Sequence, residues 1–208
     1  DRTWSFWRTR ADPFKDCVRK EWASWATVGA QGQTTRTSPQ LRYQAIESGA
    51  FYTHACNRIA VSSKTSLSLG VSAKDIVKIN NGWQIDTTSG AFTAATVVDT
   101  RPPQRIPTYG QFFLGREIKT ERPIFDPNVV HLMSFRKARS TGVDFVYILP
   151  FAADQALIEV TSFAPDNPGD QVFNEWLNAE ILALDAGQIE IVRKEAGALP
   201  MEVSFTDH

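Results

Sequence analysis

The chain has 208 residues, 42% of them hydrophobic and 22% charged, a balance that permits a packed core and argues against wholesale disorder. Lys and Arg number 22 against 23 Asp and Glu, for a net charge of −1, without the basic excess of a dedicated nucleic-acid binder. Cys17 and Cys56 exclude a disulfide framework, and His54, His131 and His208 show no metal-ligand spacing with them.

Trp4, Trp7, Trp22 and Trp25 crowd the first 25 residues as two i, i+3 pairs. They serve either aromatic packing or the wall of an apolar pocket. Ser38-Pro39 reads as a helix start, with Ser as cap and Pro at the first helical position. The predicted helix runs to about Ser48, stops at Gly49, and buries Leu41, Ala45 and Ile46.

From Thr65 to Asp99 the period is two. Ser66 to Leu69 alternates. Asp75–Ile79 and Trp83–Thr87 flank Asn80-Asn81-Gly82, a tight hairpin signal, and Ala91–Ala95 makes a third strand after Thr88-Ser89-Gly90. Thr96-Val97-Val98-Asp99 reads as a short buried strand. Arg101-Pro102-Pro103 stops regular structure.

Four further strands are predicted at Tyr109–Thr120, Val129–Arg136, Phe145–Leu149 and Ala156–Phe163, the last two forming a hairpin through 150–155. Asp170–Leu184 reads as an amphipathic helix, capped by Asp170 and stopped by Gly187, with Phe173, Leu177, Ile181 and Leu184 on one face. Gln188–Lys194 alternates again. The longest apolar run, 145–153, contains Pro150 and is far short of the ~20 residues of a membrane span. The chain opens on Asp1 and shows no signal peptide or terminating feature, so it is expected to be an internal fragment of a longer protein.

Carboxylates in apolar strands are the chemical candidates. Alternation puts Glu159 on one face with Leu157, Thr161 and Phe163, either at a solvated edge or on a pocket wall where burial would protonate it. Glu117 shares a face with Phe113 and Gly115, and Gly115 leaves room beside a carboxylate. The alternative for Glu117 is a surface ion pair with a neighbouring strand. Asp99 ends an apolar run, a place where ligands gather in α/β sheets. Asp144 and Asp154 read as solvated turn residues. The runs 136–139 and Arg193-Lys194 read as solvated faces or, less simply, as contacts to anionic lipid.

Six stretches together resemble the flavin-dependent lycopene cyclases. They are Asp1-Arg2-Thr3-Trp4-Ser5-Phe6-Trp7, Val97-Val98-Asp99-Thr100-Arg101, Gln111-Phe112-Phe113-Leu114-Gly115-Arg116-Glu117-Ile118, Phe145-Val146-Tyr147-Ile148-Leu149-Pro150-Phe151, Leu157-Ile158-Glu159-Val160-Thr161 and Glu195-Ala196-Gly197-Ala198-Leu199-Pro200-Met201. Thr100 and Pro102 depart from the pattern, and Val160 stands where the family has a second acid. The resemblance implies an α/β (α+β) fold, part of an FAD-dependent two-domain flavoprotein. It divides the chain into 1–104, a partial FAD-binding domain with helical insert and β-meander, and 105–208, an antiparallel substrate-domain sheet with one covering helix. The latter could share the helix and strands of 39–64.

The resemblance further implies redox-neutral, acid-catalysed cyclisation of the linear ends of lycopene, with reduced FAD and NAD(P)H as an indirect reductant. Glu117 and Glu159 would be catalytic, Arg2, Ile76 and Asp99 would contact the cofactor, and Phe113, Tyr147 and Phe163 would line the substrate pocket. No metal and no nucleic acid is implied. A hydrocarbon substrate implies a cytoplasmic protein peripheral to a membrane surface. The chain alone lacks the glycine-rich phosphate-binding unit, so it is expected to bind FAD poorly, turn over little and have limited stability. The rivals are a hydroxylase or polyene reductase of the same fold, and a non-catalytic polyene- or lipid-binding β-domain.

Overall fold

The structure is a computed structural model that describes residues 2–8, 13–101, 109–135 and 142–201. Pro102-Pro103, Arg136 and the basic run 136–139, all singled out above, lie outside the described residues. Along the chain come β1 (Thr3–Arg8), β2 (Val18–Trp22), β3 (Ser24–Gly29), β4 (Gly32–Thr37), β5 (Arg42–Glu47), α1 (Ser48–Ala60), β6 (Ala73–Ile79), β7 (Gly82–Thr87) and β8 (Gly90–Ala94). Then follow β9 (Gly110–Thr120), β10 (Val129–Phe135), β11 (Val143–Ala152), β12 (Gln155–Ala164), α2 (Asp170–Leu182) and β13 (Ile189–Pro200). The fold is mixed α/β, and the chain forms two compact units, residues 1–54 with 105–208, and residues 55–104.

The first unit is built on a seven-stranded sheet in the order β13-β9-β12-β11-β10-β3-β4. All its pairings are antiparallel except the parallel β10–β3 pair. Strands from both sides of the 104/105 division thus share one sheet. Alternation along β9, β11 and β12 sends Ile118, Val146, Ile158 and Val160 to one face, where Phe173 and Leu177 of α2 complete a buried cluster. The opposite face meets the small sheet β1-β5-β2. There Trp22, Tyr43 and Ala45 pack on Val130, Leu132, Leu149 and Leu157. This second face carries the site.

The segment 42–47 is a strand, not the predicted helix. Ser38 does cap backbone, its Oγ accepting from the N–H groups of Gln40 and Leu41 at 3.2 and 3.0 Å, but only as a turn. Arg42–Glu47 then runs between β1 and β2 with Tyr43, Gln44, Ala45 and Ile46 all buried. A strand buried on both faces shows no alternation. The helix starts at Ser48, where it was expected to end. The second helix begins after Gly169, which takes the cap position in place of Asp170. Asp144 is buried in β11 opposite Ser162, not in a solvated turn.

The second unit holds the antiparallel meander β6-β7-β8. Ile79 pairs with Gly82 around Asn80-Asn81, as the hairpin signal predicted. A Cβ at Gly82 would lie 2.4 Å from the Ala94 carbonyl oxygen, at a φ of +142°, so only glycine fits. Residues 66–69 and 96–99 are not strands, and Val98 is 83% exposed. Asp99 therefore ends no buried strand. It forms an exposed fork with Arg101 at 2.7 Å.

Candidate functional site

Between the carboxylate face of the large sheet and the small sheet lies a cavity of about 380 Å³. Its walls include Trp4, Tyr43, Phe113, Tyr147, Glu159 and Glu195. Register explains the meeting of the two glutamates. Gly115, on β9, pairs with Glu159 of β12 on one side and Glu195 of β13 on the other. A Cβ at Gly115 would lie 3.1 Å from Glu195 Cγ and 3.5 Å from Glu159 Cβ. The missing side chain leaves room for the two glutamate side chains to face each other.

β12 is an interior strand, so Glu159 sits on a pocket wall and not at a solvated edge. Burial and the neighbouring Glu195 carboxylate push its pKa up to about 8, against a weaker pull from the Thr161 hydroxyl, which donates to Oε1 at 3.1 Å. Glu159 is therefore a carboxylic acid at neutral pH. Glu195 accepts the Thr3 backbone N–H at 2.9 Å and Arg193 Nη1 at 2.6 Å, both on Oε2. Burial also raises Tyr147, to about 12, and raises Tyr43. Both phenols keep their protons beside the pair.

Glu117 behaves oppositely. It is 2% exposed and does not line the cavity. Arg19 grips both its oxygens at 2.9 and 2.5 Å, Arg193 reaches Oε2 at 3.2 Å, and Gln155 Nε2 donates at 2.7 Å. Burial pushes its pKa up, but the guanidiniums outweigh burial and hold it below the usual carboxylate value. Glu117 is thus ionised and cannot be the buried acid that its apolar strand suggested. Its ion pair is with a neighbouring strand, as the alternative reading had it, but buried. Arg193 is 18% exposed and belongs to this network, so it is no solvated face. Arg19 also lies 3.7 Å over the Phe151 ring.

Of the pocket candidates, Phe113 and Tyr147 line the cavity and Phe163 does not, packing instead on Phe145 with centroids 5.6 Å apart. Arg2 lines the cavity, whereas Ile76 and Asp99 belong to the second unit. The tryptophans answer both readings. Trp22 is buried and donates to the Pro150 carbonyl at 3.2 Å, Trp7 packs edge-on against Trp25 and Tyr43, and Trp4 packs on Phe51 while also walling the cavity. Glu195 is not among the predicted site residues: it lies one residue past the alternating 188–194, and its pairing with Gly115 depends on cross-strand register.

Among the described residues no cluster of His, Cys, Asp and Glu could hold a metal ion, and no helix is long and apolar enough to cross a membrane. The site is therefore a pair of glutamates on the wall of a cavity lined by both aromatic and polar side chains.

The family model described as lycopene cyclase protein matches residues 1–206, and the chain belongs to this family. No curated protein matches it. Among solved structures it resembles a geranylgeranyl bacteriochlorophyll reductase-like protein from Thermoplasma acidophilum, at 11% identity and TM-score 0.60, over 93% of this chain and 53% of that one. It also resembles halogenase PltM, at 9% identity and TM-score 0.57, over 88% of this chain and 44% of that one. A PltM structure with phloroglucinol and FAD matches at 9% identity and TM-score 0.51, over the same shares. These likenesses show the fold, and the chain spans about half the length of the structures it matches.

Proposed function

We propose that this chain carries the reaction cavity of a flavin-dependent lycopene cyclase and that Glu159 is its acid. The observation behind this reading is a glutamate pair on the wall of a cavity lined by Trp4, Tyr43, Phe113 and Tyr147, where burial and the partner carboxyl push Glu159 up to about 8. The reaction is an isomerisation. The Glu159 O–H gives its proton to a terminal alkene carbon of the linear polyene end, and a neighbouring double bond attacks the resulting tertiary cation to close a six-membered ring. A ring proton then returns to the carboxylate pair, leaving a β-ionone ring with no net redox change. The faces of Trp4, Tyr43, Phe113 and Tyr147 suit a transient carbocation, and the buried Leu149 and Leu157 make part of the wall apolar. Glu117, charge-matched by two arginines, is a positioning residue.

Reduced FAD, with NAD(P)H as indirect reductant, enters this reading through the family, and the FAD on halogenase PltM supports a flavin. The described residues do not fit its pyrophosphate. α1 follows β5 without a glycine-rich turn, and α2 carries Asp170 in its first turn, where an acid repels phosphate. No step here runs through the flavin. A membrane-resident hydrocarbon would reach the cavity from a bilayer surface, which makes the protein peripheral and cytoplasmic in this reading.

The test is pigment chromatography in a lycopene-accumulating host that expresses the gene's complete coding sequence. β-Ringed products are expected from the parent and none from Glu159→Gln. Lycopene left intact by a soluble, FAD-loaded parent sinks the reading. NAD(P)H-dependent oxygen uptake would then point to a hydroxylase, and shortened conjugation to a polyene reductase.

A further inference from the structure

Two glutamates share the cavity wall, yet their surroundings differ. Glu195 Oε2 accepts two strong donors, the Thr3 N–H at 2.9 Å and Arg193 Nη1 at 2.6 Å. Among the described residues, the hydrogen-bond donor to Glu159 is the neutral Thr161 hydroxyl, at 3.1 Å. Arg193 is itself held on three sides. Its Nε and Nη2 reach Glu117 Oε2 at 3.3 and 3.2 Å, and Nη2 reaches Thr3 Oγ1 at 2.6 Å. The guanidinium fork is thereby fixed with one tine on the ionised Glu117 and the other on Glu195.

We propose that Arg193 decides which carboxyl of the pair carries the shared proton: bridging Glu117 to Glu195, it makes Glu195 the acceptor and leaves the proton on Glu159. Two carboxyls that face each other across Gly115 cannot both ionise cheaply, so the pair holds one proton near neutral pH. A cation fixed on one member drives that proton to the other. The other charged or titratable groups facing the pair do not select between its members in this way. Tyr147 of β11 and Tyr43 of β5 are neutral phenols, Arg2 lines the cavity beside β1, and Arg19 of β2 is spent on Glu117 and Glu47. Arg193 thus acts through Glu195, as a positioning residue. The inference gives the cyclase reading its proton address, and rests on that reading only for its use in catalysis.

Infrared titration of the protonated-carboxyl band in the chain without substrate reads the proton directly, so a failed pigment assay leaves this test intact. In the parent, Glu159→Gln is expected to remove the band at pH 7, whereas Glu195→Gln keeps it with a lower midpoint. Arg193→Gln is expected to move the parent midpoint, near 8, up by a unit or more, because a cation beside the pair is gone. Arg193→Lys, which keeps charge but not the fork, should move it less. A folded Arg193→Gln chain that titrates like the parent overturns the proposal, as does a band removed by Glu195→Gln instead of Glu159→Gln. If Arg193→Gln does not fold, Arg193→Lys is decisive, and a midpoint equal to the parent's then overturns it.

Discussion

Glu117 and Glu159 lie on one face of one sheet and are driven in opposite directions. Arginines hold Glu117 ionised, while burial and a second carboxylate keep the proton on Glu159. The sign of each pH effect follows from linkage. The raised Glu159 binds a proton in the folded chain that the unfolded chain has lost, so stability falls as pH rises from about 4.5 toward 8. Glu159→Gln removes that loss. Its unfolding free energy should exceed the parent's increasingly across this window, by on the order of 4 kcal/mol at its upper end. An equal difference at pH 5 and pH 8 would show that Glu159 is not protonated in the fold. The depressed Glu117 contributes stability above its unfolded pKa, lost as pH falls through its folded value. Catalysis by the Glu159 acid predicts that kcat/KM for cyclisation falls about tenfold per pH unit above about 8. A flat profile to pH 10 would exclude it as donor.

At the scale of elements, the buried ion network ties β2 to β9 and β13 through Arg19, Glu117 and Arg193. Glu117→Ala would leave two guanidiniums without their shared partner and is expected to cost roughly 3–5 kcal/mol in urea unfolding. A loss under 1 kcal/mol would mean that water replaces the carboxylate. Gly115→Val should spread the carboxyl pair, because even a Cβ falls 3.1 Å from Glu195 and 3.2 Å from Leu157. The expected signature is a folded chain whose carboxyl band titrates nearer an ordinary glutamate. How legible these elements were depended on burial. β9 and β12 alternate because α2 covers one face and a cavity opens on the other. The β6–β7 hairpin was legible because Asn-Asn-Gly has few other uses. β5 was not, since its buried residues show no period and the Ser38 cap and Gly49 bracketed it like a helix. Glu159 stands out as an acidic residue in an apolar strand, but its place on the cavity wall depends on the sheet order. Its partner Glu195 and the arginines around Glu117 depend on cross-strand register, which no local pattern reports.

Across the whole molecule, burial is unevenly distributed. Every residue with a buried side chain among those described lies in 1–54 or 109–201, and none in 55–101. The meander β6-β7-β8 leaves Val77, Ile79 and Phe92 40 to 50% exposed. A three-stranded meander with this little apolar burial is marginal in water, since backbone ordering costs about 1–2 kcal/mol per residue. The seven-stranded sheet has α2 on one side and the small sheet on the other. The two units should therefore open at different free energies. In native-state hydrogen exchange, amides of β6, β7 and β8 are expected to exchange by local opening, at least a hundredfold faster than those of β9, β11 and β12. Exchange of both sets at one common, global rate would show that the meander is stabilised as strongly as the core sheet. The proton site would be unaffected by the expected opening, because Glu159, Glu195, Glu117 and Arg193 all lie on strands of the slower sheet.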